Sequence, residues 1–310
     1  MFEIIRYTSE KQAEWDAFIA QSKNGTFLMY RGYMDYHSDR FADCSLMFYL
    51  KGQLYAVIPA NINGHTFHSH QGLTYGGVVM NDKCTASNIL HLFEDMNEFL
   101  KSIGVKKVEY KPIPHIYSSM PAEEDLYALF RCGASIVARG ISTCIDLPIH
   151  RKWRQNRRTA LNKSVTDGIT VEISDDLEDF WNILDTNLMQ SHGTHPVHTL
   201  NEMRKLKDAF PKNIVLWVAK NPSGNTVAGI LLYQTTHVIH SQYISATPEG
   251  KKSGAIDAIM HEVLKSENRY FDFGISTEQG GQYLNEKLIF QKEGFGGRGI
   301  CYDTYEYTLS

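Results

Sequence analysis

Residues 288–299 read LIFQKEGFGGRG, and 270–276, just upstream, read YFDFGIS. The upstream stretch is a short apolar run with one carboxylate inside it. Its aromatic residues favour extended chain and a glycine bounds it, so 270–274 reads as a strand. Alternation then turns Asp272 away from Phe271 and Phe273. A carboxylate on an internal strand requires a partner. Either it belongs to a site, or it makes a structural hydrogen bond to the 274–277 loop that follows. Downstream, a short helix is expected over 283–290, stopped by glycines. Lys292 stands at that stop, and two readings of its ammonium are open. It faces a groove, where it steadies an oxyanion or grips a phosphate or carboxylate, or it is a solvated cation favoured by the helix dipole.

Outward from these residues, strands and helices alternate. Helical spacing is expected over 177–189 and 200–210. Strands at 214–220 and 226–234 form a hairpin around 221–224, and a strand at 237–246, a helix at 254–265 and a closing strand at 300–309 complete the half. The first half runs in a similar order. It has a helix at 10–21, strands at 45–50 and 54–61 joined by Lys51 and Gly52, and a strand at 105–111. A helix over 88–103 carries Ile89, Leu92, Phe93, Met96, Phe99 and Leu100 on one face, and a short helix at 123–130 ends near Gly133. FRCG (130–133) corresponds in position to FQKEG (290–294). Element order, rather than sequence identity, argues for an internal duplication. The order means mixed sheets flanked by helices, an α/β (α+β) class. Leu147 and Pro148 precede a basic run, so the domains are expected at 1–146 and 147–310.

FDFG, a short helix and then FQKEGF (290–295) resemble the end of a GNAT acyltransferase domain. The second half resembles the FemAB-like branch of that superfamily, in which two GNAT-type halves share one chain. The likeness is carried by HGTHPVHT (192–199), HSQYISATPEG (240–250), YFDFGIS (270–276) and LIFQKEGFGGRG (288–299), with YKPIPHIY (110–117) of the same flavour in the first half. The resemblance implies two GNAT-like domains, the first non-catalytic or acceptor-binding and the second carrying the acyl-transfer groove. It implies transfer of an aminoacyl or acetyl group to an amine of a cell-envelope precursor, peptidoglycan or surface polysaccharide. The donor would be aminoacyl-tRNA or acetyl-CoA, with no tightly bound cofactor. Lys292, the lysine of the K-x-x-F segment, is then expected in the substrate site, and the strand at 237–246 is expected to splay from its neighbour. One departure concerns the donor. CoA-using GNATs carry a Gln/Arg-x-x-Gly-x-Gly/Ala turn, whereas 247–255 reads TPEGKKSGA, out of register. Gly250, Lys251, Ser253 and Gly254 remain candidates for holding a phosphate there.

Acyl transfer to an amine needs a base, donors aimed at the carbonyl oxygen, and alignment. Tyr243 is a candidate for donating to a carbonyl or protonating a leaving group, or else it is core packing. Alternation places His240 and Gln242 on one strand face and Tyr243 on the other; Gln242 is a candidate substrate contact. His192, His195 and His198 lie around Pro196, which breaks any helix that would bring them onto one face, and no HExxH spacing is present. No metal site is expected. A loop lining the acceptor pocket, with one imidazole as the base, fits better. RKWRQNRR (151–158) holds five cations in eight positions, with Arg151, Arg154 and Arg158 on one helical face. Arg154 and Arg158 are candidates for a phosphate-rich partner, a nucleotide-diphosphate sugar or the end of a tRNA; a solvated interdomain helix is the alternative.

The net charge of -4 calls for no DNA-binding field. No apolar run approaches the roughly 18–20 residues of a membrane span, and the charged N-terminus reads as no signal peptide. Five cysteines without CxxC spacing suit reduced thiols, so a cytoplasmic protein is expected. Two other functions are compatible with these residues: an acetyl-CoA-dependent sugar N-acetyltransferase, and a non-catalytic protein that binds a glycan precursor.

Overall fold

The computed structural model describes residues 1–149 and 152–309, with all their side chains except those of His37 and His192. Arg151 and its expected place on the basic face lie outside the described residues. The chain divides into two units built from separated stretches. One is Met1–Gly140 with Thr277–Tyr283 and Cys301–Ser310; the other is Ile141–Ser276 with Leu284–Ile300. The expected division at 146/147 cuts the chain once, whereas the contacts return the end of the closing strand (Arg298–Thr308) to the first unit.

The first unit contains β1 (Glu3–Arg6), α1 (Gln12–Gln21), β2 (Leu46–Leu50), β3 (Gln53–Ile58), β4 (Asn61–Asn63), β5 (Thr66–His68) and β6 (Val79–Met80). It continues through α2 (Ala86–Ser102), β7 (Lys107–Tyr110) and α3 (Glu124–Arg131) into β8 (Ser135–Asp146). The strands β1, β2, β3 and β6 form an antiparallel sheet in that order. A second run pairs β4 with β5, β5 in parallel with β7, and β7 with the closing strand, Tyr110 opposite Tyr305. The helix α2 forms where expected. Thr85 caps it by accepting from Asn88 N, and Ile89, Leu92, Phe93, Met96 and Leu100 recur at helical spacing, each at most 1% exposed.

The second unit takes over β8 at Ile141 and adds α4 (Gln155–Thr166), β9 (Thr170–Ser174), α5 (Glu178–His192), α6 (Leu200–Ala209), β10 (Ile214–Lys220), β11 (Thr226–Gln234) and β12 (Val238–Ala246). Then come α7 (Pro248–Ser253), α8 (Ala255–Val263), β13 (Tyr270–Ile275) and α9 (Glu286–Glu293). Its sheet runs β9-β10-β11-β12-β13-β8, antiparallel except for β12 with β13. β11 is buried on both faces because helices cover both. Ile230 and Leu232 pack with Ile259 and Val263 of α8. On the opposite face, a Cβ on Gly229 would lie 2.4 Å from the Phe180 ring of α5. Thr199 and Glu202 start α6 with a reciprocal capping box. The helix expected at 283–290 begins later, at Glu286, where the Asn285 side chain accepts from Leu288 N; Tyr283 and Leu284 are extended. Among the described residues no helix is long and apolar enough to cross a membrane.

Gly254 joins α7 to α8 at φ 74°, and a Cβ there would lie 2.2 Å from the Ala160 carbonyl oxygen of α4. Gly224, in the β10–β11 hairpin, has φ 84° and open space around it. Gly254→Ala is therefore expected to cost about 2–4 kcal/mol, from backbone strain plus overpacking, and Gly224→Ala only about 1 kcal/mol. Urea unfolding of the two variants measures the difference, and equal losses would refute the close approach of α4.

Candidate active site

β12 and β13 pair for only three residues: Val238 with Tyr270, Ile239 with Phe271 and His240 with Asp272. β12 continues to Ala246, and β13 turns away at Gly274, whose φ is 75°. Past Ile275 the chain bonds back to β8, Ser276 N donating to Ile141 O. The two strands thus form a fork. Among the described residues the two strands are not paired beyond His240 and Asp272, and because side chains take Gly274 N, Gly274 O and Ile275 O on the β13 side, it is the β12 edge that presents backbone groups to whatever enters.

At the base of the fork lies Asp272, with 0% exposure. Its carboxylate accepts from the Ser142 hydroxyl of β8, from Gly274 N at 3.2 Å, and from His240 Nδ1 at 2.9 Å. A carboxylate can only accept, so Nδ1 carries a hydrogen, and in the neutral ring Nε2 is then the lone-pair nitrogen. Nε2 has no partner among the described residues. Gly274 makes room for this ring, since a Cβ there would lie 3.2 Å from His240 Cε1.

The faces of β12 differ from those that strict alternation predicts. Its register against β11 passes from Leu232 opposite Ser241 to Leu231 opposite Tyr243. Gln242 is the extra, half-buried residue of a β-bulge. Opposed residues in an antiparallel pair point to the same side, so Tyr243 shares the side of Leu231 and Tyr233, and therefore of His240. The bulge brings Tyr243 onto the face of the imidazole–carboxylate pair, where the sequence placed it opposite. There its hydroxyl meets His198 Nδ1 at 2.7 Å and its ring lies edge-on to Trp181, centroids 5.5 Å apart. Burial raises the Tyr243 pKa, so the phenol keeps its proton at neutral pH. Asn187 of α5 fixes the end of β12 by donating to Ser245 Oγ at 2.7 Å and Ala246 O at 2.9 Å.

Lys292 is not a solvated cation. It is 8% exposed, and its Nζ donates to Gly274 O at 2.8 Å and Ile275 O at 2.9 Å, the carbonyls at which β13 departs. Phe295, three residues on in the turn that follows α9, stacks on Phe273 with centroids 5.5 Å apart. Trp153 meets Phe295 edge-on at 5.0 Å, and the Arg157 guanidinium lies 4.4 Å from the same ring while bonding Asp257 at 3.3 Å. An aromatic clamp thus holds the end of α9 on the sheet and drives the lysine inward.

The remaining candidates divide. His195 is at the surface, paired with Asp185 at 2.6 Å, while His198 is buried beside Tyr243, so the histidine loop does not converge as a set. The His192 side chain lies outside the described residues. Arg154 is tied to α9, donating to Phe290 O at 3.0 Å and Glu293 at 3.1 Å. Arg158 bonds Gln155. At the 247–255 turn, Gly250 packs against the Val227 carbonyl, Ser253 Oγ donates to Gly250 O at 3.3 Å, Lys251 reaches Asn187 at 3.5 Å, and Gly254 packs on α4. Sequence reading missed Ser142, and it noted His240 only for its strand face. A serine on a strand carries no distinguishing signal, and the pairing of His240 with Asp272 depends on strand order.

No protein-family model matches the chain, and no curated protein does. Solved structures do. FemX matches 99% of this chain and 97% of its own at 12% identity, with a TM-score of 0.70. L-PGS from Bacillus licheniformis matches 97% of this chain and 91% of its own at 14% identity, TM-score 0.62. A tandem GNAT protein from the clavulanic acid biosynthesis pathway matches 100% and 99% at 13% identity, TM-score 0.53. The chain has the duplicated GNAT-type fold of FemAB-like proteins, with mixed sheets flanked by helices.

Burial pushes the Lys292 ammonium down from 10.5 to about 8, while the nearby Asp272 charge pulls it back up. Between about pH 8 and about pH 10.5 the unfolded chain then holds a proton that the folded chain has released. In that window the stability contributed by Lys292 rises with pH. The unfolding free energy of the wild type minus that of Lys292→Met is expected to grow from pH 7.5 to pH 10. Denaturation series at the two ends of this range test it, and a flat or shrinking difference would contradict the buried ammonium.

Proposed function

We propose that the chain is a cytoplasmic N-acyltransferase that moves an aminoacyl or acetyl group onto an amine of a phosphate-bearing cell-envelope precursor. The observation that carries this reading is the parting of β12 from β13 immediately beyond the pair that His240 makes with the buried Asp272 carboxylate. The β12 edge beyond His240, outside the ladder with β13, suits the acyl carbonyl of a donor such as aminoacyl-tRNA or acetyl-CoA, and its amides would supply the donors that a developing oxyanion requires. The likeness to FemX and L-PGS supports acyl transfer as the use of this fold.

In the proposed step the amine lone pair attacks the carbonyl carbon. The proton lost by the amine goes to His240 Nε2, and Asp272 balances the resulting imidazolium. Collapse of the tetrahedral carbon breaks the bond to the leaving oxygen or sulfur, which takes the proton of the Tyr243 phenol. Water then returns the His240 proton to solvent and restores the phenol. Lys292 acts here as a positioning residue. By gripping the carbonyls of Gly274 and Ile275 it holds β13 away from β12, so that the fork stays open.

Acyl transfer is assayed with acetyl-CoA and with aminoacyl-tRNA mimics as donors and amine-bearing envelope precursors as acceptors. His240→Ala is expected to lower kcat by ~10²–10⁴ with KM little changed. Wild-type turnover in His240→Ala would place the base elsewhere. Precursor binding without product from either donor class would leave a binding protein instead.

A further inference from the structure

A cavity of about 410 Å³ opens beside α4 and the C-terminal end of α8, lined by residues away from the fork, of which Trp153 also packs on Phe295. Its volume falls in the roughly 300–1,000 Å³ range of small-ligand sites. The walls divide by chemistry. Leu161 and Leu264 give an apolar surface. Trp153 and His261 bring two aromatic rings, at 90° to each other and with centroids 6.3 Å apart. Lys152, Arg158 and Lys265 bring three cations, and among the described residues no carboxylate lines the space.

The cations are unevenly satisfied. Lys265 pairs with Glu262 at 2.8 Å. Among the described residues, neither Lys152 nor Arg158 has a carboxylate within ion-pair reach. Arg158 donates one Nη hydrogen to Gln155. It lines the cavity, and among the described residues its other Nη hydrogens have no acceptor. An anion in the cavity would supply one.

The combination is selective. A bare phosphate would need neither the rings nor the apolar wall, and an aliphatic chain would need no cations. Flat rings beside guanidinium and ammonium groups suit a base with a phosphate attached. We propose that this cavity binds a nucleoside phosphate, its phosphate on Arg158 and Lys152 and its base against Trp153. The site is separate from the fork, and its existence does not depend on which acyl donor the fork takes.

Titration of the full chain with AMP and with UMP, followed by calorimetry and tryptophan fluorescence, tests this against inorganic phosphate and the free nucleosides. At least one nucleotide is expected to bind about tenfold or more tightly than phosphate or its own nucleoside, because both halves of the cavity are then engaged. Combining Arg158→Gln with Lys152→Gln is expected to weaken the nucleotide by about tenfold or more while leaving the unfolding midpoint in place. Trp153→Phe, which keeps a ring against Phe295, is expected to retain nucleotide binding, and Trp153→Leu to lose the preference for nucleotide over phosphate. Three results would overturn the proposal: no saturable binding at millimolar nucleotide, phosphate binding as tightly as nucleotide, or affinity unchanged in the double variant.

Discussion

Asp272 is a carboxylate with no exposure to solvent, and the way it is satisfied shapes everything around it. An unpaired charge in a sheet interior costs several kcal/mol, so donors must reach it from the surrounding backbone and side chains. One comes from β8, through Ser142, and one from β12, through His240. The third is Gly274 N, two residues further along the same strand, and it can point back at the carboxylate only because the chain turns there with φ 75°. That turn removes β13 from the ladder with β12. Satisfying the buried charge and opening the fork are thus the same structural event.

The fork would close or wander if the departing strand were unsupported. Two carbonyls, of Gly274 and Ile275, leave the ladder without backbone partners, and the Lys292 ammonium supplies both. Desolvating that ammonium is unfavourable, as its lowered pKa records. The offset comes from Phe295, buried between Phe273, Trp153 and Arg157, which fixes α9 so that the lysine has nowhere else to go. Burial of one such aromatic side chain is worth about 1.5–3 kcal/mol, comparable with the penalty it opposes.

Much of this was legible in the sequence wherever a period or a spacing carried it. The apolar stripe of α2 and the β10–β11 hairpin follow from residue intervals, whereas the residues alone left Lys292 either facing a groove or solvated. β8 was not read, because its first residues are exposed and its pairing is with distant strands. The side on which Tyr243 stands was read wrongly for a sharper reason. One inserted residue, Gln242, reverses the parity of everything after it, and a glutamine in a strand gives no sign that it is the extra one. The basic run 151–158 was read as a face for a phosphate-rich partner or as a solvated interdomain helix. In three dimensions Arg154 and Arg157 hold α9 and α8, and among the described residues of the run Lys152 and Arg158 keep capacity for a ligand.

The turn at 247–255 illustrates why residue type alone misleads about phosphate. Two glycines and two lysines suggest an anion cradle, but each glycine answers to a close approach within the protein. A Cβ on Gly250 would lie 2.2 Å from the Val227 carbonyl oxygen, and one on Gly254 would lie 2.2 Å from that of Ala160. The helix that follows Pro248 is six residues long, and its first free amides are capped by Thr247, which accepts from Gly250 N at 3.0 Å. With the glycines accounted for by packing, donor recognition cannot be inferred from them. In the proposed transfer that role falls to the β12 edge beyond His240 and to His240 Nε2.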